Sequence, residues 1–399
     1  MIQSWHEVSG MVSEGWLLLL PISAASGWWI AVRKMPEDKH SKKRHLLSSN
    51  YLQGLNFLLN EEPDKALDVF IKLLEIDSDT VETHLALGNL FRRRGEVNRA
   101  IRIHQNLIAR PNLEKKYRTE ALAALAKDYL SAGVFDRAER LFLELVDLGE
   151  KIDTSLQNLL DIYQQEKEWQ KAIDIAQKLF LHTNRNMRVG LAHYYCELAE
   201  LALREQNLDQ ARKTVKRAFR VDKRCARASL LLAEVEMQLG RYRRAMRYLK
   251  YIKKQDPDYL SEAVRPLMKC YQALEKETEL VYYFKDLLKE FPKIPIVVIL
   301  SEQIRQWRGD KVAANFVANY VRRHPSVEGL HRLVELHLSL VEGQAKSDLQ
   351  ILHHLTEKLL ADQPTYQCLQ CGFSSQHLHW QCPGCRQWAT IKPTHTVEV

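Results

Sequence analysis

Four cysteines near the C-terminus are the residues best suited to chemistry. Cys368-x-x-Cys371 and Cys382-x-x-Cys385 are two pairs separated by ten residues. A Cys-x-x-Cys pair forms a tight knuckle that turns two thiolates toward one metal, and Gly372, Pro383 and Gly384 supply residues suited to such turns. Four sulfurs converging tetrahedrally on Zn²⁺ make a closed structural site, whereas a catalytic zinc keeps one position open. A segment this short has little core of its own and is expected to fold only around its metal. Iron in the same sulfur set, a disulfide pair and a redox motif are the alternatives. A thioredoxin-like role needs one Cys-x-x-Cys in a strand–helix setting, and that setting is missing. His377 and His379 are competing ligands in kind. They are read instead as part of a β-like stretch, alternating with Leu378 and Trp380.

The rest of the chain offers no reaction centre. It contains no Walker-type loop, Gly-rich dinucleotide fingerprint, His-Glu-x-x-His or serine elbow. His354 and Glu357 share a helix face and read as a surface pair. The chain is therefore expected not to be an enzyme. Three further cysteines, Cys196, Cys225 and Cys270, stand singly in helical stretches and read as small buried hydrophobes. Seven cysteines in all would risk mispairing in an oxidising compartment, so the inventory favours a reducing cytoplasm.

The elements that position the cysteine pairs come from a repeat. In 399 residues there are only 15 Gly and 12 Pro, with 46% apolar and 27% charged residues, a balance that suits an all-α chain. Gly54 and Gly88 are 34 residues apart, as are Ala66 and Ala100, Ala138 and Ala172, and Ala211 and Ala245. In each unit one first-helix position is followed three residues later by Phe57, Phe91, Tyr129 or Tyr163, and twelve residues later by Ala in a second helix; that position is small in the first three units and Leu160 in the fourth. Small residues let the two helices of a hairpin approach, and the aromatics fill the space between hairpins. Pro257, Pro292 and Pro325 fall where a helix must stop before the next repeat. The longer intervals from Ala100 to Ala138 and from Ala172 to Ala211 read as loop insertions. The pattern resembles the tetratricopeptide repeat and predicts eight or nine hairpins across 46–362, degenerate after 260, stacked into a superhelix with a concave groove.

Ahead of the array, Gly15 to Val32 carry no charge. Eighteen residues at about 1.5 Å each reach roughly 27 Å, enough to cross a hydrocarbon core of about 30 Å. Trp16, Trp28 and Trp29 are placed like interfacial anchors, and Arg33, Lys34, Lys39, Lys42, Lys43 and Arg44 follow. The expected order is a short periplasmic tail (1–14), a transmembrane helix (15–32) and a basic juxtamembrane linker (33–45). The array and a small zinc domain (363–399) then lie on the cytoplasmic side. A cleaved signal is the alternative, but it would carry its basic residues before the apolar run.

Charge is concentrated locally. Residues 212–254 hold fifteen Lys or Arg and three acids, a net of +12 against +8 for the whole chain. A solvated face, an acidic protein or anionic lipid partner, and nucleic acid compete as explanations. Tyr242, Tyr248 and Tyr251 have helical spacing that suits packing better than base stacking, so no nucleic acid is expected.

The paired knuckles resemble rubredoxin. The order of span, repeats and zinc terminus resembles the lipopolysaccharide assembly protein B family of Gram-negative bacteria. HLALGNLFRRRGEVNRAIRIHQNL (84–107), WQKAIDIA (169–176), AHYYCELA (192–199) and the terminus CLQCGF…WQCPGCRQWATIKP carry the likeness. The resemblance implies an inner-membrane regulator of lipopolysaccharide synthesis. It would present the UDP-3-O-acyl-N-acetylglucosamine deacetylase of lipid A synthesis to a membrane-bound AAA+ zinc protease, under the restraint of an inner-membrane regulatory protein. It carries the family's zinc ligands onto Cys368, Cys371, Cys382 and Cys385, and implies that the zinc domain packs back on the repeats. A platform that gathers biosynthetic enzymes and an iron-bearing electron-transfer protein are the alternative functions. Self-association into a homodimer is left open.

Overall fold

The computed structural model describes residues 81–183 and 186–394, Ala25, Ser26, Trp28, Trp29 and scattered positions between 52 and 70. The expected periplasmic tail, the basic linker and all but four positions of the expected span lie outside the described residues. Among those described, no helix is long and apolar enough to cross a membrane.

Two compact units divide the chain at residues 151 and 152. The first contains α1 (Val81–Arg93), α2 (Val97–Ile108), α3 (Lys115–Ser131) and α4 (Phe135–Asp147). The second contains α5 (Ile152–Gln165), α6 (Trp169–Thr183), α7 (Arg188–Arg204), α8 (Leu208–Val221), α9 (Ala226–Gln238) and α10 (Tyr242–Gln255). It continues with α11 (Leu260–Ala273), α12 (Glu277–Glu290), α13 (Ile294–Arg308), α14 (Asp310–Val321), α15 (Val327–Leu338) and α16 (Gln344–Asp362). Odd-numbered helices open each hairpin and even-numbered helices close it.

Six of the hairpin turns follow from one backbone device. Gly95, Gly133, Lys167, Gln206, Gly240 and Glu275 all have positive φ. The next amide in each turn donates back five residues, as Glu96 does to Phe91 (2.8 Å) and Val134 to Tyr129 (2.9 Å). This is a Schellman end, which satisfies carbonyls that a helix terminus would otherwise leave bare. At Phe91, Tyr129, Tyr163 and Tyr271 the repeat's large residue therefore supplies both a packing ring and the carbonyl that closes the turn.

Packing explains the small residues. Ala100, Ala138, Ala172, Ala211 and Ala245 are fully buried. A Cβ at Gly88 would lie 2.4 Å from His104 Nε2, so only glycine admits that imidazole. His104 is itself buried, with Nδ1 2.5 Å from Asp128 Oδ2, and Arg92 donates to Asp128 Oδ1 at 2.7 Å. The four aromatics at the 34-residue spacing each lie under a cation eight residues on. Lys65 covers Phe57, Arg99 covers Phe91, Arg137 covers Tyr129 and Lys171 covers Tyr163, at 5.2–5.7 Å from the ring centroids.

Two expectations are corrected. The extra residues after Ala100 and Ala172 chiefly lengthen first helices rather than loops. Helices α3 and α7 have 17 residues each, against 13 in α1 and α9 and 14 in α5. Extending a helix keeps every added amide bonded, which a longer loop would not. The stretch around His377 and His379 is also not a strand. The small sheet consists of β1 (Tyr366–Cys368), β2 (Ser374–Ser375) and β3 (Ile391–Pro393) in the order β2-β1-β3, both pairs antiparallel, and residues 376–380 run irregularly beyond it.

Candidate metal centre

Both knuckles are built on the same backbone pattern. In the first, the amide of Gly372 donates to Cys368 O (3.0 Å) and that of Cys368 to Phe373 O (2.8 Å). In the second, the amide of Arg386 donates to Cys382 O (2.8 Å) and that of Cys382 to Gln387 O (2.9 Å). Gly372 and Arg386 hold equivalent positive-φ positions, at 77° and 57°. Gly384 serves a different need: a Cβ there would lie 3.2 Å from Cys371 Sγ.

The result brings the four predicted thiols together. Their Sγ atoms all lie within 4.8 Å of one another. Cys368 and Cys385 are 3.7 Å apart at sulfur, and Cys371 and Cys382 are 3.6 Å apart. A tetrahedral ion bound at about 2.3 Å from each sulfur requires edges of about 3.8 Å, so the donors fit a four-sulfur metal site. Burial opposes ionisation of Cys368, yet the Thr390 hydroxyl and the amides of Cys371 and Gln370 bring its thiol down to about 6. Cys382 moves up to about 12 under burial and the neighbouring sulfurs Cys371 and Cys368, against the amides of Cys385 and Gly384. Several thiolates this close need a cation to share. His377 is exposed and His379 accompanies Ser375 at 3.2 Å; neither joins the sulfur cluster. His354 and Glu357 form the exposed surface pair, 3.8 Å apart.

Sequence reasoning missed the side chains that seat this domain on the array. Trp388 stacks on His193 (centroids 4.9 Å), meets Trp169 and Tyr194 edge-on, and donates its Nε1–H to Gln164 Oε1 (3.2 Å). Trp380 packs on Tyr259 at 4.9 Å with the Arg227 guanidinium 5.7 Å from its ring. The Tyr259 hydroxyl donates to Ile391 O (2.8 Å), that of Tyr366 donates to Glu262 (2.8 Å), and Lys392 pairs with Asp256. Arg227, 2% exposed, is held in turn by Glu200 and Glu197 at 2.7 and 2.8 Å. Helices α5, α7, α9 and α11 thus form the docking side, with the start of α6 and the turn after α10. The available signal was the pair Trp380 and Trp388 flanking a knuckle, because so small a domain cannot cover two indoles by itself.

The comparisons agree with this geometry. The rubredoxin metal binding domain family matches residues 366–393, and the tetratricopeptide repeat family matches 83–116 and 196–259. Lipopolysaccharide assembly protein B of Escherichia coli strain K12 is 40% identical over 377 residues, covering 94% of this chain and 97% of that protein. The protein of the same name from Haemophilus influenzae is 36% identical over 390 residues, covering 96% and 98%. Among solved structures, Naa15/Naa10 bound to HypK-THB matches with a TM-score of 0.46 and 13% identity over 80% of this chain and 47% of that one. Similarity at this level along nearly the whole length, with repeats and metal domain in the same order, makes the chain a member of the lipopolysaccharide assembly protein B family.

Proposed function

We propose that this chain is a non-enzymatic adaptor at the cytoplasmic face of the inner membrane. It regulates lipid A synthesis by presenting the UDP-3-O-acyl-N-acetylglucosamine deacetylase to a membrane-bound AAA+ protease. Gly15 to Val32 anchor it, the repeats supply the partner surface, and an inner-membrane regulatory protein acts through the anchor. The observation that carries the reading is the full-length kinship with lipopolysaccharide assembly protein B. Support also comes from the four-cysteine cluster, whose closed sulfur set leaves no position for a substrate. Cys368, Cys371, Cys382 and Cys385 hold Zn²⁺ in this reading, and the ion fixes the shape that Trp380 and Trp388 dock against the repeats.

Depletion of the protein is expected to lengthen the deacetylase half-life and raise lipopolysaccharide. A half-life that depletion leaves unchanged overturns the adaptor. The word "assembly" in the relatives' name favours a second reading, a platform that gathers biosynthetic enzymes without directing degradation. Affinity capture that recovers several such enzymes and never the protease would select it.

A further inference from the structure

Helices α6, α8 and α10 close successive hairpins, and the docking contacts described above reach them only at Trp169, at the start of α6. Their buried alanines Ala172, Ala211 and Ala245 mark equivalent positions. Nine residues after each comes Leu181, Arg220 and Lys254; six after each comes Lys178, Arg217 and Tyr251. All six are exposed, Leu181 at 81%. Successive hairpins therefore present two rows, each of two cations with an exposed apolar or aromatic side chain at one end, Leu181 in the first and Tyr251 in the second. Phe180, also exposed, adjoins the first row, and Tyr251 leans on Phe219 of the neighbouring helix at 5.9 Å.

Helix stability accounts for Arg220 and Lys254, in the last turns of α8 and α10, but not for the rest of the charge. Cations are favoured at the C-terminal end of a helix and disfavoured at its start. Arg243 and Arg244 nevertheless sit in the first turn of α10, which holds no acid. Ion pairing does not account for them either. Among the described residues, the cations of this region that find acids are Arg212 and Arg241 with Glu236, Arg227 with Glu197 and Glu200, and Lys253 with Glu290. Arg217, Arg220, Arg243, Arg247 and Lys254 have no acidic partner there.

We propose that this face of α6, α8 and α10 is a docking surface for an anionic phospholipid bilayer. Dispersed cations attract headgroups as point charges, while Leu181, Phe180 and Tyr251 suit the boundary between headgroups and acyl chains. An acidic protein would account for the charge but would leave the exposed Leu181, Phe180 and Tyr251 without a role.

The test uses the full-length chain in bacterial membranes labelled with radioactive phosphate, carrying p-benzoylphenylalanine in place of Tyr251. A control carries it in place of Leu369, which is 74% exposed on the metal domain. Irradiation is expected to give a phospholipid adduct at 251 and not at 369, a contrast that tethering alone would not produce. The combination Arg217→Glu, Arg220→Glu and Arg247→Glu is expected to lower that adduct about fivefold or more, with helicity and metal content unchanged. Equal adducts at 251 and 369, an adduct indifferent to charge reversal, or a protein adduct at 251 in place of lipid would each overturn the proposal.

Discussion

His193 stacks under Trp388 and is buried in the docking surface. Burial first, then the positive charges of Arg227 and Lys392, lower its imidazole to about 3. The unfolded chain takes up this proton near 6.5 and the folded chain only near 3, so between those values unfolding gains a proton. The contribution is fully present above about pH 6.5 and is lost as pH falls toward 3, reaching about 2 kcal/mol by pH 5. Denaturant titrations of wild type and His193→Phe should therefore diverge in slope with pH across that window and run parallel above it. A second expectation concerns the sulfurs. Cys368→Ser should remove nearly all bound metal, read by elemental analysis of purified protein, because three sulfurs no longer close the site. At this scale the thiols were legible and His193 was not. Cys-x-x-Cys spacing is a local constraint, whereas an isolated histidine acquires its partners only when Trp388, 195 positions away in sequence, folds back on it.

Hairpins carry their own predictions. Gln206 and Lys167 occupy the positive-φ turn position that Gly95, Gly133 and Gly240 hold elsewhere. A side chain there is strained, so Gln206→Gly should stabilise the second unit by about 1 kcal/mol, measured by chemical denaturation. In the first unit, Asp128→Ala should cost about 3 kcal/mol, since it strands Arg92 and His104 around an emptied buried position. Unchanged unfolding midpoints would refute either assignment. The 34-residue offsets made the hairpins legible because Ala100, Ala138 and Ala172 mark the sites where helices must touch. They could not reveal where extra residues go, because lengthening α3 or α7 leaves the same interval as lengthening a loop. The alternation of His377, Leu378, His379 and Trp380 resembled a strand for a related reason: Trp380 points at Tyr259 of the array, a demand that periodicity within the segment does not encode.

On the scale of the second unit, a chelator that strips the metal should release Trp380 and Trp388 from the repeats. A red shift in tryptophan emission and new protease cleavage beyond Asp362 would record it; emission unchanged after verified metal loss would contradict it. A repeat array is ordinarily a one-dimensional object in which each hairpin feels only its neighbours, and its ends fray independently. Here the polypeptide runs out through α16 and returns, so that Trp388 meets Gln164, 224 residues earlier. That return ties the stack as a bowstring ties a bow. Its curvature is held across a chord as well as link by link, and a hairpin between the tie points cannot loosen without tension reaching the metal knuckle. With the string intact, α5 to α14 should melt as one cooperative block. With it cut, they should melt piecemeal.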